Sequence, residues 1–170
     1  KSLDDFDLVS LEVLEFKKKL VSENKITRED LNINDDHLIH GDYHEENVFF
    51  NVENYGIHSI FDFEKTCLSP RSIELARSIH FLCLECRIYE EGLVLAKSFF
   101  NSYMDIYPIC KEEFREGIMA FHLKNVYSLW VLDDHYLQNS LRVDRFLNKN
   151  YSAIKYYIDN LDNYLKCLYG

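Results

Sequence analysis

The sequence is short of the residues that interrupt regular structure. Its 170 residues include only 5 glycines and 2 prolines, so few tight turns are available and long helices are favoured over a many-stranded sheet. No apolar run approaches the roughly 20 residues that a membrane-spanning helix needs. The opening KSLDDFDLVS also lacks the basic start and apolar block of a signal peptide. We therefore expect no membrane partner and a cytoplasmic location.

Basic residues are also scarce relative to acidic ones. The chain has 19 lysines and arginines against 29 aspartates and glutamates, and a net charge of −10. A duplex nucleic-acid binder normally presents a basic face, so nucleic acid is not an expected partner. An acidic surface suits a small cationic substrate, although most acidic proteins are merely soluble.

The residues that are abundant indicate a packed domain. Hydrophobic residues make up 47% of the chain and aromatic residues 15%, which is typical of a globular protein with a sizeable core. The five cysteines lie at positions 67, 83, 86, 110 and 167. CLEC at 83–86 is a lone CxxC without the second pair that a zinc site needs, so we expect two buried thiols on a helix in a reducing compartment.

Hydrophobic periodicity predicts one helix, a small β-hairpin and then a helical bundle. Residues 7–22 have leucines at helical spacing, namely Leu8, Leu11, Leu14 and Leu20, with EFKKKL as a solvated side. TRED at 27–30 predicts a short capped turn. HLIH predicts a short strand, and NVFFN and IHSIFDF are the arms of a hairpin that turns at ENYG. Further helices are predicted at 72–89, 92–107, 111–138 and 151–169, the last with Ile154, Tyr157, Ile158, Leu161 and Leu165 on one stripe. The predicted class is α+β, mainly α.

Polar side chains cluster at two points of this β unit. In HLIHGDYHEENVFFN, residues 37–51, Asp42 begins a polar loop and Asn47 ends it; Asp62 follows IHSIF, with Glu64 two residues later. Because hairpin arms are neighbours, the two carboxylates and the amide are expected to converge at one end of the sheet. Carboxylate and amide oxygens suit Mg²⁺. A base, an amide and a metal-binding carboxylate are the recurring parts of phosphoryl transfer.

Two other interpretations of the same residues are open. Asp42 and Asn47 are both common turn and cap residues. His37, His40 and His44 could instead form a zinc cluster in a His/Asp metallohydrolase, since histidine is the commonest metal ligand. His44 and Glu45 are otherwise expected to be solvated loop residues.

Three segments carry a resemblance to a known family. HGDYHEEN (40–47) resembles the H-G-D-x-x-x-x-N loop of the aminoglycoside phosphotransferase and choline kinase family, small-molecule kinases with a protein-kinase-like fold. IFDFEKT (60–66) resembles their I-D-x-D/E metal-binding motif. SPRSIELARSIHFL (69–82) resembles the segment after it. The resemblance covers residues 37–82 and implies the C-terminal lobe of a protein-kinase-like fold.

The resemblance implies a role for each matching residue. Asp42 would accept the proton of the substrate hydroxyl, and Asn47 and Asp62 would hold the Mg²⁺ that bridges the phosphates of ATP. Three residues would support them. His40 would brace the loop, Glu64 stands where the family often has a second acid, and Glu74 replaces the more usual Asp before Leu-Ala.

The resemblance also implies parts that lie elsewhere. A kinase of this type needs an N-terminal lobe with a five-stranded sheet, a phosphate-covering loop and a lysine, and nothing before residue 37 has that pattern. We expect residues 1–170 to be the C-terminal lobe of a phosphotransferase and to be inactive alone. Trp130, Asp133 and Asp134 lie where the family binds its acceptor, although an ordinary exposed helix end fits them too.

The acceptor class stays open at this stage. Aminoglycosides, choline, homoserine and methylthioribose are all acceptors of related sites, and the net charge of −10 leans only slightly towards a cation. The other functional class is a non-catalytic kinase-like module that binds a ligand or partner. Retention of Asp42, Asn47 and Asp62 favours the enzyme.

Overall fold

The computed structural model describes residues 3–23, 27–85 and 89–170. It is mainly helical with two small antiparallel sheets, in agreement with the predicted α+β class. The helices are α1 Asp5–Glu23, α2 Arg71–Ile79, α3 Tyr89–Ile106, α4 Lys111–Tyr127, α5 Trp130–Gln138 and α6 Phe146–Tyr169. The strands are β1 His37–Ile39, β2 Val48–Phe50, β3 Ile57–Ile60 and β4 Cys67–Ser69. Among the described residues, no helix combines the length and hydrophobicity required to cross a membrane.

The chain divides into two compact units, one of residues 1–30 with 122–161 and one of residues 31–121 with 162–170. The core of the first unit is formed by Val13, Val131, Leu132 and Leu147. Phe6 and Val9 of α1 pack against that core. The predicted apolar face of α1 is therefore wrong, because Leu8, Leu11 and Leu14 are exposed. The buried residues of α1 also follow helical spacing, on the face next to that of the three leucines. Periodicity alone does not show which of the two faces is buried.

A buried lysine holds the first unit together at a helix break. Lys17 Nζ donates to the carbonyl oxygens of Asn125 and Ser128 at 2.9 and 2.7 Å, and to Asn150 Oδ1 at 2.9 Å. EFKKKL is therefore not wholly a solvated side, since Lys17 is 6% exposed. The predicted single helix 111–138 is also wrong, because it divides into α4 and α5 around Ser128 and Leu129. Cations stabilise the free carbonyl groups of a helix C-terminus.

The second unit contains both sheets. β2 pairs antiparallel with β3, with Val48 opposite Ile60, which confirms the predicted hairpin. β1 pairs antiparallel with β4, with His37 opposite Ser69. We call this second pair the ribbon. The ribbon brings the residues before the hairpin and those after it side by side.

The helices of the second unit pack around a core of Leu75, Ile79, Phe100, Phe114, Ile118 and Phe121. The predicted helix 72–89 ends earlier as α2, continues as a π-helix over His80–Leu84, and its last residues lie outside the described ranges. Cys83 is buried as predicted, whereas Cys86 lies outside the described residues. Gly117 of α4 allows α2 to approach closely, since a Cβ there would lie 2.4 Å from Ser72 Cβ.

Two smaller sequence predictions meet different outcomes. TRED forms the predicted short turn, in which Thr27 Oγ1 donates to Asp30 Oδ2 at 2.9 Å. The predicted stripe of α6 is correct at Ile154, Tyr157 and Leu165, which are buried. Ile158 is 46% exposed, so the stripe is narrower than predicted.

Candidate active site

The loop at residues 40–47, which we call the HGD loop, leaves β1 through a conformation that requires glycine. Gly41 has φ +80°, and a Cβ at this position would lie 2.2 Å from the carbonyl oxygen of Lys65. Any other residue would meet both a strained backbone and a collision with a main-chain atom. Gly41 therefore allows the HGD loop to lie directly against the segment that follows Asp62.

The ring of His40 joins the same two segments. His40 Nε2 donates to the carbonyl oxygen of Phe61 at 2.7 Å, and His40 Nδ1 accepts from the backbone N–H of Asp42 at 3.2 Å. These two contacts require the tautomer with the proton on Nε2. The ring thus orients Asp42 while tying the HGD loop to the end of β3.

Glu74 holds the HGD loop from the side of α2. Its Oε2 accepts from the N–H of Gly41 at 2.9 Å, and its Oε1 accepts from the N–H of Tyr43 at 3.4 Å. Hydrogen bonds from backbone N–H groups to a carboxylate are charge-assisted and stronger than neutral ones. A glutamate at this position therefore reaches the backbone on both sides of Asp42.

The carboxylate of Asp42 lies between two cations. Arg77 Nη2 donates to Oδ1, and Lys65 Nζ donates to Oδ2 at 2.6 Å. Asp42 is 7% exposed. Burial alone would raise the pKa of this carboxyl, but the hydrogen bond from Lys65 and the charges of Arg77 and Lys65 outweigh burial, so the pKa of Asp42 lies below its usual value. Asp42 is therefore ionised at neutral pH.

Asn47 closes the HGD loop from within. Its Nδ2 donates to the carbonyl oxygen of Asp42 at 2.9 Å, and the side chain is buried. This hydrogen bond fixes which side of the amide faces the loop. The amide oxygen Oδ1 is then the atom with which Asn47 could bind a metal ion.

Asp62 stands at the end of the hairpin beside Asn47. The N–H of Phe61 donates to the carbonyl oxygen of Asn47 at 3.0 Å, so the residue before Asp62 is bonded directly to the end of the HGD loop. Asp62 has φ 60° and ψ 62°, its side chain makes no cap hydrogen bond, and it is exposed. A left-handed non-glycine residue is uncommon and is found often at functional sites.

The residues at this end of the hairpin fit a magnesium ion. Asp62 offers a carboxylate and Asn47 an amide oxygen, and Mg²⁺ keeps several waters while taking few protein ligands. Glu64 is exposed on the 3₁₀ turn Phe63–Lys65 that follows Asp62. The roles of Asn47, Asp62 and Glu64 as metal ligands stay a prediction.

The histidines form no zinc site. Within the described ranges, no three His, Cys, Asp or Glu side chains lie close enough to hold a metal ion. His37 instead contacts Asp36 Oδ1 at 2.5 Å and Tyr107 Oη at 2.8 Å. His44 Nδ1 accepts from the N–H of Glu46 at 3.2 Å and caps the turn Glu45–Asn47, so the prediction of a solvated His44 is wrong.

The predicted acceptor residues belong to the other unit. Trp130, Asp133 and Asp134 lie on α5 in the first unit, whereas the HGD loop lies in the second. The Trp130 ring lies 5.6 Å from the Phe146 ring, and Asp133 is exposed. Their part in acceptor binding stays a prediction.

Sequence reasoning missed the two cations that contact Asp42. Lys65 lies in IFDFEKT, three residues after Asp62, and Arg77 lies three residues after Glu74. Residues three apart on a helix share a face, so Arg77 could have been placed on the loop side of α2 once Glu74 was assigned there. Lys65 carried no comparable signal, because its contact depends on how the ribbon folds back.

The sequence also matches a known protein family. Residues 7–96, more than half of the 170-residue chain, match the profile of the phosphotransferase enzyme family. This match includes the HGD loop, the hairpin, Asp62 and α2. The chain has no significant match among curated proteins or among solved structures. The extent of the family match establishes the relationship: the chain belongs to the phosphotransferase enzyme family.

Proposed function

We propose that this chain is the catalytic lobe of an ATP-dependent phosphotransferase that transfers the γ-phosphate to a hydroxyl group of a small molecule. The observation that carries the proposal is the placement of Asp42. This buried, ionised carboxylate is held in a loop whose far end, Asn47, is hydrogen-bonded to the residue before Asp62. A carboxylate base beside two hard metal ligands is the arrangement that phosphoryl transfer requires.

Asp42 is the base in this proposal. An acceptor hydroxyl donates a hydrogen bond to the carboxylate, which orients the oxygen for attack on the γ-phosphorus. As the new O–P bond forms and the bond to the leaving ADP breaks, the hydroxyl proton passes to Asp42. The lowered pKa of Asp42 keeps the carboxylate ionised and ready to accept the hydrogen bond.

Asn47 and Asp62 hold Mg²⁺ in this proposal. When bound, the ion neutralises charge on the phosphate oxygens of ATP. His40 and Glu74 keep the HGD loop in place through their backbone hydrogen bonds. Glu64, exposed beside Asp62, contributes negative charge to the metal-binding end of the hairpin.

The proposed acceptor is a hydroxyl compound of the aminoglycoside or choline-like amino alcohol class. The net charge of −10 supports a cationic acceptor through long-range attraction. Trp130, Asp133 and Asp134 are the proposed acceptor contacts, with the aromatic ring and the carboxylates both suited to a cation.

The lobe is proposed to need a nucleotide-binding lobe for turnover. Among the described residues, the strands are four short segments in two-stranded pairs, and none forms a sheet that could cover the nucleotide phosphates. Binding of ATP to this chain would then depend on its phosphates and Mg²⁺ alone. We expect this chain to fold without catalysing measurable transfer.

A transfer assay tests the proposal. The phosphotransferase that contains this lobe together with its nucleotide-binding lobe is incubated with γ-labelled ATP, Mg²⁺ and a panel of amino alcohols and aminoglycosides. Asp42→Asn is expected to lower kcat by a factor of about 10²–10⁴, the usual contribution of a general base. The matched control Asp105→Asn, at an exposed position of α3, is expected to keep full activity.

The assay also separates the enzyme from a non-catalytic module. Labelled product with one acceptor class, lost in Asp42→Asn, supports the proposal. Binding of Mg²⁺ and ATP without transfer to any hydroxyl compound supports the kinase-like binding module instead. Equal activity of Asp42→Asn and the wild type would contradict the assignment of the base.

A further inference from the structure

Each carboxylate oxygen of Asp42 already accepts a hydrogen bond from a cation. Arg77 occupies Oδ1 and Lys65 occupies Oδ2. A base must accept a hydrogen bond and then a proton from the attacking hydroxyl, so the acceptor has to share an oxygen with one of these cations or displace that cation. The question is which of the two cations is fixed and which is exchangeable.

Arg77 has the properties of a fixed partner. Its side chain is 15% exposed, and its guanidinium carbon lies 4.9 Å from the centre of the Phe81 ring. Arg77 Nη1 is buried and makes no hydrogen bond to any described residue. Moving this guanidinium would leave the buried Asp42 with fewer partners, which is costly for a buried ion pair.

Lys65 has the properties of an exchangeable partner. Its side chain is 57% exposed, although the ammonium group donates to Asp42 at 2.6 Å. Only the lysine side of this pair is exposed, so water or a ligand can replace Asp42 as the partner of the ammonium group without the ammonium becoming buried. The backbone of Lys65 packs against Gly41. This contact fixes the position of the Lys65 Cβ and leaves the rest of the side chain able to move in solvent.

The position of Lys65 also places it near the proposed phosphate site. Lys65 ends the 3₁₀ turn that begins immediately after Asp62, the proposed metal ligand. Its ammonium contacts the proposed base, and its backbone lies three residues after the proposed metal ligand. A lysine in such a place is a compact cation with three donors, suited to contacting phosphate oxygens.

We propose that Lys65 is an exchangeable active-site cation: it occupies Asp42 Oδ2 in the absence of substrate and transfers to a phosphate oxygen when Mg²⁺ and the phosphates bind, which leaves Oδ2 to the acceptor. Arg77 remains on Oδ1 and positions the base. Oδ2 then accepts the hydroxyl proton as the O–P bond forms and the bond to ADP breaks. Lys65 keeps its own proton throughout and acts through charge. This inference rests on the proposed function, because it presumes phosphates beside Asp62.

Isothermal titration of the chain with Mg²⁺ and tripolyphosphate tests the phosphate contact without requiring a base or a nucleotide-binding lobe. Lys65→Met is expected to weaken binding about tenfold, the effect of losing one charge-assisted hydrogen bond. Lys65→Arg is expected to restore affinity to within about threefold, because the charge is retained. Lys111→Met makes the same charge change at an exposed position of α4 and is expected to bind as the wild type does.

The outcomes distinguish this inference from the proposed function. If Asp62→Asn abolishes binding while Lys65→Met equals Lys111→Met, the role of Lys65 is overturned and the metal–phosphate site stands. If Lys65→Met weakens binding but Asp62→Asn does not, the phosphate contact is supported and the proposed metal ligand is contradicted. If the wild-type chain does not bind Mg²⁺–tripolyphosphate, the proposed contact of Lys65 with phosphate is contradicted. The proposed function is then tested by the transfer assay alone.

Melting temperatures measured without ligand test whether Arg77 is the fixed partner of Asp42 and Lys65 the exchangeable one. Lys65→Met is expected to melt closer to the wild type than Arg77→Met does, because the Lys65 side chain is 57% exposed and water can take its place on Oδ2. Arg77→Met is expected to melt well below it, because Asp42 loses its buried partner. The reverse order of melting temperatures would contradict the assignment of Arg77 as fixed and Lys65 as exchangeable.

Discussion

Glu74 holds the HGD loop in place through the backbone of the loop. Glu74 accepts hydrogen bonds from the N–H groups of Gly41 and Tyr43, which flank Asp42. The loop geometry therefore depends in part on a carboxylate that binds only backbone N–H groups of the loop.

Replacement of Glu74 is expected to loosen the loop. Glu74→Ala leaves two backbone N–H groups without their acceptor and is expected to lower the free energy of unfolding by about 1–3 kcal/mol. Glu74→Gln keeps an acceptor without the charge and is expected to fall between Glu74→Ala and the wild type. Urea denaturation measures both, with the exposed Glu53→Ala as control. Equal stability of Glu74→Ala and Glu53→Ala would contradict the bracing role.

His80 is expected to make the fold sensitive to acid. Burial lowers the pKa of His80 to about 4, with a smaller contribution from the charge of Arg77. The unfolded chain takes up a proton near the ordinary pKa of about 6.5, whereas the folded chain does not until about pH 4. The neutral His80 ring therefore makes its whole contribution to the free energy of unfolding above about pH 6.5. This contribution declines as the pH falls towards 4, by about 3 kcal/mol in total.

The variant His80→Phe tests this pH dependence while keeping an aromatic ring against Phe81 and Phe121. Its free energy of unfolding is expected to fall less than that of the wild type between pH 6.5 and pH 4. His58→Phe, at an exposed position of β3, is the matched control. Parallel pH profiles for the wild type and His80→Phe would contradict the assignment.

At the residue scale, the sequence predicted what local spacing determines. Asp42 and Asn47 are five residues apart in one loop, and Asp62 follows the same hairpin, so their proximity could be inferred from a short stretch. The contacts of Lys65 and Arg77 with Asp42 could not. They depend on the return of the ribbon and on the rotation of α2, both of which are set by tertiary packing.

At the scale of whole elements, the break between α4 and α5 is the clearest departure from sequence periodicity. The sequence KNVYSLWVLDD contains neither glycine nor proline, so nothing local predicts an interruption there. The carbonyl groups that the break leaves without helical partners accept hydrogen bonds from Lys17, which lies more than 100 positions earlier in the chain. Helix α4 can therefore end here because Lys17, which is distant in sequence, satisfies the carbonyl groups at its end.

Lys17 is expected to be a stabilising residue of the first unit. Lys17→Met removes the donor shared by Asn125, Ser128 and Asn150 and leaves these half-buried acceptors without it. We expect it to lower the free energy of unfolding by about 2–3 kcal/mol. Lys18→Met, one position along and exposed, is expected to change stability by less than about 0.5 kcal/mol. Similar melting curves for the two variants would rule out the anchoring role of Lys17.

Whether a strand could be predicted from the sequence also depends on how far along the chain its partner lies. The hairpin could be predicted, because both arms and the turn lie within fifteen or so residues and the arms alternate with turn residues between them. β4 was missed, because CLS is only three residues long and its partner β1 lies about 30 positions earlier. The ribbon nevertheless positions the site, since it places Lys65 beside Gly41.

At the scale of the whole molecule, the two units divide the proposed functions. The second unit contains the base, the proposed metal ligands and the residues that hold them, whereas the first unit contains the proposed acceptor contacts on α5. The sequence indicated a single mainly helical lobe, and neither composition nor a linker marks the division. The family match spans parts of both units.

The central claim is that Asp62 and the HGD loop form one site for Mg²⁺ and phosphate. The most direct measurement is a thermal-shift titration of this chain with Mg²⁺ and ATP, beside Asp62→Ala and the exposed control Asp105→Ala. At about ten times the dissociation constant, binding adds about 1.4 kcal/mol of stability and raises the melting temperature by about 4 °C. We expect this rise in the wild type and in Asp105→Ala, and its loss in Asp62→Ala. An equal rise in all three chains would contradict the claim, because the ligand would then bind elsewhere.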